Sequence, residues 1–307
     1  MSIDISALTS GFMTYGGVTM RKKVSEWDLQ NDVYIHRNVT MPVALPKISA
    51  GGNPRPYAEA ENLTNPTFTD QVLTVYQTKW DWSADFEKLR NTYLSSTSNG
   101  TLDPGSTPLY QYILDQYATE YLAQIYDNAV GAGTYNSAGT TAASCATGYL
   151  TLIANAITAT TLTAIATGAF TTSNAVTNVE TFCAGLPSWM LQKGFRIYCS
   201  WTVFNKYKTH YRTLNGFGFQ VGFPGKYMLD GFKGTLEPRS WMGTSARLIA
   251  VPDVPKGSPD NALHMGTNDE QIAIYPTINL NTIKVRMLYP IGLQISDLSA
   301  IFVNDQA

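Results

Sequence analysis

The stretch that most constrains this chain is Thr107 to Gly133, TPLYQYILDQYATEYLAQIYDNAVGAG. Leu114, Tyr117, Ala118, Tyr121, Leu122, Ile125, Ala129 and Val130 recur at three- and four-residue steps, which places them along one side of a helix. Thr107 suits an N-cap, and Pro108 suits the first helical position, where a missing N–H costs nothing. Gly131 and Gly133 are the expected stop, because glycine takes a left-handed C-terminal turn without a Cβ clash. The spacing therefore predicts a helix over 107–131, a rod on the order of 36 Å long. Its tyrosines widen the apolar stripe beyond a two-sided pattern. Such a helix needs neighbours on several sides, from its own chain or from other subunits.

The composition sharpens that demand. The chain has 307 residues, enough for one large or two smaller bodies with a buried core. Charged residues make up only 14%, against about a quarter in ordinary globular proteins. Low charge with abundant Tyr and Trp suits a surface that is buried against copies of itself. A net charge of −2 provides no global field toward nucleic acid or an anionic membrane. The one basic cluster, Arg21, Lys22 and Lys23, is too short for a nucleic-acid patch. The N-terminus lacks the basic and apolar regions of a signal peptide, and no apolar run is long enough to span a membrane. Cys145, Cys183 and Cys199 show no paired spacing, which fits a reducing compartment.

Residues 1–45 are broken by Gly11, Gly16, Gly17 and Pro42 and read as an extended arm, with a short helix around Ser25–Asp32. Residues 46–82 change character. A piece rich in Pro and Gly precedes QVLTVYQTKWDW, in which Val72, Thr74, Tyr76, Thr78, Trp80 and Trp82 share one face of a long strand. The two pieces read as a long hairpin that must lie on something else, since a two-stranded hairpin is marginal alone. A short helix over Ser83–Tyr93 leads to the long one.

From Asn128 to Gln192 the only charged residue is Glu180, yet apolar residues recur regularly enough for a second folded body beginning near residue 145. Within it, Ser173 or Asn174 caps a helix, Pro187 opens a shorter one that Gly194 ends, FRIYCS is an alternating strand, and Ser200 caps a further helix. Arg247–Val251, Gln271–Tyr275, Lys284–Tyr289, Gly292–Ile295 and Ala300–Val303 read as strands, the last ones rejoining the body of the long helix.

A catalytic or cofactor site leaves a constellation, and none stands out. His36, His210 and His264 are scattered in sequence without metal-ligand spacing. No nucleophile elbow or phosphate loop is present, and Gly216, Gly218 and Gly222 miss the dinucleotide fingerprint. Glu59 with Glu61, or Asp81 with Asp85, could pair as acid and base, but solvated carboxylates on a hairpin are the commoner outcome. The aromatics from Phe217 to Phe223 lack the flanking positive charge of a base-stacking platform. No cofactor and no metal are expected.

The order of parts resembles a known family. An arm, a hairpin trailing into TVYQTKWDW and a long helix ending IYDNAVGAG resemble the major capsid proteins of tailed bacteriophages with the Hong Kong 97 fold. Residues 173–207 are similar to that family's helix, Leu-Pro, short helix, strand and helix succession. RLIAVPDVPKG (247–257) and residues 283–305 resemble its proline loop and closing strands. The resemblance implies an α+β fold with an N-terminal arm (1–45), an extended hairpin loop (46–82), a peripheral domain (83–144 with 271–307) built on the spine helix, and an axial domain (145–270). It implies a structural protein, not an enzyme, that forms pentamers and hexamers and closes an icosahedral shell around a double-stranded DNA genome in the virion, after assembly in the host cytoplasm.

Portal, scaffolding and decoration proteins are possible partners, and because Met1 falls almost directly on the arm, a separate scaffold is expected. The expected contacts between subunits are Pro54, Arg55, Pro56 and Tyr57 of the hairpin, Trp80 and Trp82 of its strand, Tyr117 and Tyr121 of the spine, and Pro252, Pro255 and Lys256 of the proline loop. The same architecture also builds bacterial nanocompartments, which stays open as an alternative, as does a two-domain enzyme of unrecognised chemistry.

Overall fold

The computed structural model describes residues 5–49, 67–100, 108–215, 227–255, 257–279 and 282–306. In chain order the elements are α1 (Ile5–Ser25), β1 (Tyr34–His36), β2 (Val43–Ser49), β3 (Thr67–Leu73), β4 (Tyr76–Asp85), α2 (Phe86–Ser98) and α3 (Leu109–Ile125). They continue as α4 (Tyr149–Thr158), α5 (Ala175–Ala184), α6 (Ser188–Lys193), β5 (Phe195–Cys199), α7 (Trp201–Asn215), β6 (Tyr227–Met228), β7 (Gly234–Pro238) and β8 (Ile249–Pro252). The chain closes with β9 (Leu263–Gly266), β10 (Ala273–Asn279), β11 (Thr282–Ile295) and β12 (Phe302–Val303). The fold is α+β.

One sheet is organised by β11. Up to Ile291 it is flanked by β4 on one edge, and up to Leu288 by β10 on the other. From Gly292 to Ile295 it pairs with β9, which carries β1 in parallel beyond it. The expected strands 284–289 and 292–295 are thus one. Pro290 has no N–H to donate, and on that edge it falls in the gap between β10 and β9, where a missing donor is tolerated. Ile113, Leu114, Ala118 and Leu122 of α3 share a buried core with Ile283, Val285 and Met287 of β11.

The second sheet runs β12-β8-β5-β7-β6. All five residues of β5 are buried. The strand alternates as expected, and its alternate residues divide between two cores. Tyr198, with Ile249 and Val251 of β8, joins the core of the spine helix. Phe195, Ile197 and Cys199 face a second core under α5 and α7, with Phe182, Phe204 and Tyr207. This sheet is a shared wall. The chain crosses it repeatedly: α4 packs Tyr149 and Ile153 into the first core, whereas β12 completes the second sheet.

Three expectations need correction. The N-terminal segment is the 21-residue helix α1, not an extended arm, and Phe12, Met20 and Val24 bury against the chain's own core. The glycines that looked like breakers are points of close approach. A Cβ at Gly11 would lie 2.7 Å from the ring of Tyr110, and one at Gly16 would lie 2.5 Å from Cδ1 of Ile274. Next, the hairpin pairs β2 with β3, from Val43 opposite Leu73 to Ser49 opposite Thr67. The Trp80–Trp82 strand is a separate element, β4, that belongs to the β11 sheet.

Lastly, the spine is α3 continued by one π-helical turn, Tyr126–Val130. Pro108 occupies the N-cap position, and Thr107 lies outside the described residues. Gly131 ends the turn with φ −80°, not in the left-handed region. Its small size matters for another reason: a Cβ there would sit 2.0 Å from the carbonyl oxygen of Trp241.

Leu73–Val75, where the chain turns from β3 into β4, crosses a notch made by two glycines paired across β9 and β11, Gly266 and Gly292. A Cβ at Gly292 would lie 2.2 Å from the carbonyl oxygen of Thr74, and one at Gly266 would lie 2.6 Å from Cγ2 of Val75. Alanine in an ordinary strand position stabilises relative to glycine by about 0.5–1 kcal/mol. Here the sign should reverse. Gly292→Ala should destabilise the subunit by roughly 1–3 kcal/mol through overpacking, read from denaturant midpoints; unchanged or raised stability would contradict the notch.

Candidate assembly surfaces

The spine helix is covered by its own chain. Tyr117 stacks on Trp82 with ring centroids 3.9 Å apart and planes at 10°, and Trp80 lies over Tyr121 at 5.7 Å. Such pairs contribute about 0.5–1.5 kcal/mol beyond area burial. Tyr121 is 5% exposed, and its hydroxyl shares a 2.6 Å hydrogen bond with the Thr78 hydroxyl. Burial pushes its pKa well above the usual tyrosine value. On the other flanks, Tyr110 stacks on Tyr15 of α1, Tyr112 meets Tyr93 of α2, and Tyr126 meets Trp27. Tyr121 is therefore an internal packing residue, not a contact toward a neighbour. Trp80, Trp82 and Tyr117 keep part of their surface in solvent.

Opposite the spine, the sheet of β10, β11 and β4 presents a face with exposed Tyr275, Lys284, Arg286, Lys79 and Asp81. The register sets Tyr275, Arg286 and Asp81 in one row. The Arg286 guanidinium donates to the Asp81 carboxylate at 2.6 Å and, with Lys79, holds its pKa below the usual value. Asp85, the other carboxylate weighed as half of an acid–base pair, caps α2 by accepting from the amides of Glu87 and Lys88. Both have structural partners. Glu59, Glu61 and the aromatics 217–223 lie outside the described residues.

The hairpin stands on a small footing. The Lys47 ammonium reaches the Asp297 carboxylate and the Ser299 hydroxyl, and the Gln294 amide donates to the Val72 carbonyl. Beyond that footing, β2 and β3 form a two-stranded sheet with no third strand among the described residues. Pro54, Arg55, Pro56 and Tyr57 lie outside them.

The proline loop leaves the second sheet at Pro252, opposite Phe195. It is held from below. The side chain of Arg196, 5% exposed, pairs with Asp253 at 3.0 Å and donates to the Val254 carbonyl at 2.6 Å. Pro255 is exposed at the loop's outer side, and Lys256 lies outside the described residues.

Two arrangements escaped the sequence reading because they join distant residues. His210 of α7 accepts from the Val176 amide at 3.0 Å and so caps α5, while the Asn174 side chain turns back to the loop before it. His36 of β1 and His264 of β9 lie with Nε2 and Nδ1 2.8 Å apart, their rings stacked and Tyr34 edge-on to both. Nε2 of His264 also lies 2.7 Å from the Asn261 carbonyl, which can only accept. That nitrogen therefore carries the hydrogen, Nδ1 accepts, and His36 donates. Among the described residues no group of three or more His, Cys, Asp or Glu could hold a metal, and no helix is long and apolar enough to cross a membrane. Cys183 is buried, and desolvation pushes its thiol up to about 12, which makes it a poor nucleophile.

No protein-family model matches the chain, and no curated protein matches it in sequence. Solved structures do match in three dimensions. A chain of the satellite phage P4 procapsid, solved with its size-determination protein Sid, matches with a TM-score of 0.56 at 12% identity over 99% of this chain and 91% of that one. A chain of the capsid of Myoviridae phage XM1 matches with a TM-score of 0.51 at 13% identity over 90% of each. The fold is that of tailed-phage capsid proteins, the Hong Kong 97 fold.

The histidine pair carries a pH signature. Burial lowers the pKa of both rings, and His36 further lowers that of His264. As pH falls through about 6.5, the unfolded chain takes up protons before the folded one does. Stability is full above that value and should decline below it. The carboxylates held low, Asp81, Asp297 and Asp305 (the last at about 2), act only in stronger acid. Denaturant midpoints between pH 7.5 and 5 should therefore fall, with a shallower slope in His36→Gln; identical slopes would remove the pair from the account.

Proposed function

We propose that this chain is the major capsid subunit of a tailed bacteriophage. It forms pentamers and hexamers that close an icosahedral shell around double-stranded DNA. The observation that carries the reading is the β2–β3 hairpin. It has two strands, no third among the described residues, and a footing made of the Lys47–Asp297 pair, hydrogen bonds and the buried Leu45 and Leu73. Such a hairpin is marginal in isolation. It gains stability by lying on a neighbour, and a subunit that gives a hairpin to one copy and receives one from another makes the heterologous contact that closes rings. The capsid fold shared with the P4 and XM1 chains supports the same reading.

In this reading the spine body is the peripheral domain and the body around α5, α7 and the second sheet is the axial domain. The Pro252–Pro255 loop, stiffened by Arg196, lies near the ring axis. Trp80, Trp82 and Tyr117, together with Pro54, Arg55, Pro56, Tyr57 and Lys256, supply contacts between subunits. The role is structural, without cofactor or catalysis. The virion is its location, after assembly in the host cytoplasm. Portal, scaffolding and decoration proteins are partners open to such a shell.

Replacing Ser49–Thr69 by a short turn tests this. Among the described residues, the spine core and both large sheets contain none from that segment. The variant should keep its cooperative melt yet give few or no shells by negative-stain microscopy, where the intact chain gives many. Loss of the melt would instead assign the hairpin to the subunit's own core.

A further inference from the structure

A cavity of about 300 Å³ opens between α5, α7 and the turn at 229–232 that joins β6 to β7. Val176, Val179, Glu180 and Cys183 line it from α5, at the three- and four-residue spacing that puts them on one side of a helix. Tyr207 and Tyr211 line it from α7 in the same way. Glu180 is the one charged residue between Asn128 and Gln192, and it stands at the exposed edge of an otherwise apolar stripe. Asp230 lines the cavity from the turn. Both charged lining residues are therefore acids, and among the described residues no Lys or Arg lines the space.

The aromatic wall is a cluster and not a single ring. The Tyr207 and Tyr211 centroids lie 6.3 Å apart with planes at 24°, and Tyr227 packs against the two at 5.4 and 5.6 Å. The Tyr211 hydroxyl donates to the Asp230 carboxylate at 2.6 Å, which fixes the acid beside the rings. Burial pushes the pKa of Tyr207 up, and the charges of Asp230 and Glu180 push it further, so both carboxylates act on the same ring. Glu180 acts likewise on the thiol of Cys183. The negative faces of aromatic rings attract a cation, and carboxylates add to that attraction. An anion would be repelled from this space, and a neutral apolar molecule would leave its two acids without use.

We propose that this cavity binds a small organic cation of the alkylammonium class. Its alkyl part lies against Val176 and Val179, and its ammonium group sits among the tyrosine rings and the carboxylates of Glu180 and Asp230. Amines of this class are protonated at neutral pH, as the lysine side chain is. The bound cation bridges α5, α7 and the 229–232 turn, and because it binds the folded chain it raises the thermal transition. The site lies within one subunit and goes beyond the shell reading without resting on it.

Saturation-transfer difference NMR on the full chain tests the proposal, since it reads weak binding to a protein of any size. The probe is n-butylammonium, with n-butanol and butyrate as neutral and anionic matches of similar size. Transfer to n-butylammonium should be saturable and should exceed that to either match. Tyr211→Leu, which removes one ring, and Glu180→Gln, which removes one charge at an exposed position, should each weaken binding roughly tenfold. A retained cooperative melt qualifies each variant, and Glu180→Gln carries the test if Tyr211→Leu does not fold. No saturable transfer to n-butylammonium, equal transfer to n-butanol, or undiminished binding in Glu180→Gln would each overturn the site. None of these results bears on whether the chain builds shells.

Discussion

The interaction on which the rest depends is the aromatic seam between the spine helix and β4. A helix with tyrosines at 110, 112, 117, 121 and 126 has no single inside face, and each ring must be covered by something. Stacking of Trp82 on Tyr117 and Trp80 over Tyr121 fixes the helix to one face of the β11 sheet. That leaves the opposite sheet face and the outer edge of β4 uncovered. The remaining tyrosines fix α1 and α2 on the other flanks. Once these rings are placed, the spine helix, the β11 sheet, α1 and α2 share one core.

The second body is coupled to the first by buried charge as well as by the shared sheet. Arg239, beside β7, binds the fully buried Asp32 carboxylate in two places, one at 2.7 Å, and also reaches Glu237. Its guanidinium lies over the Tyr198 ring at 5.3 Å. The Asp32 carbonyl accepts from Asn261, next to β9. Breaking a buried pair of this kind commonly costs about 3–5 kcal/mol, so the segment after α1 is tied firmly to both bodies. The hairpin, by contrast, rests on the partly exposed pair of Lys47 and Asp297 and on the packing of Leu73 beside Gly266. Strength is concentrated where the subunit must hold its own shape, and the weakly held part is the one that reaches outward.

Local patterns carried much of this architecture. The 3.6-residue stripe marked the spine, Pro187 and Gly194 bracketed α6, and Ser200 sits where it caps α7, its hydroxyl accepting from the Val203 amide at 3.3 Å. What failed was the meaning of glycine. Gly11, Gly16 and Gly131 read as breakers or caps from neighbouring residues alone, but their role is to let Tyr110, Ile274 and Trp241 approach, and those partners are far along the chain. The same limit hid the His36–His264 pair, 228 positions apart in sequence, and the capping of α5 by His210. Alternation in β5 was real, but no local signal distinguishes solvent from a second core.

The central claim is that a self-sufficient subunit keeps its hairpin for a neighbour, and so exists as an assembly. Mass photometry of the purified chain over a concentration series reads this directly. The expected distribution shows species at five and six subunits together with closed particles in the megadalton range, and little protein at the 33.7 kDa monomer mass. A single monomer peak that persists into the high micromolar range, examined by light scattering where photometry saturates, would contradict it.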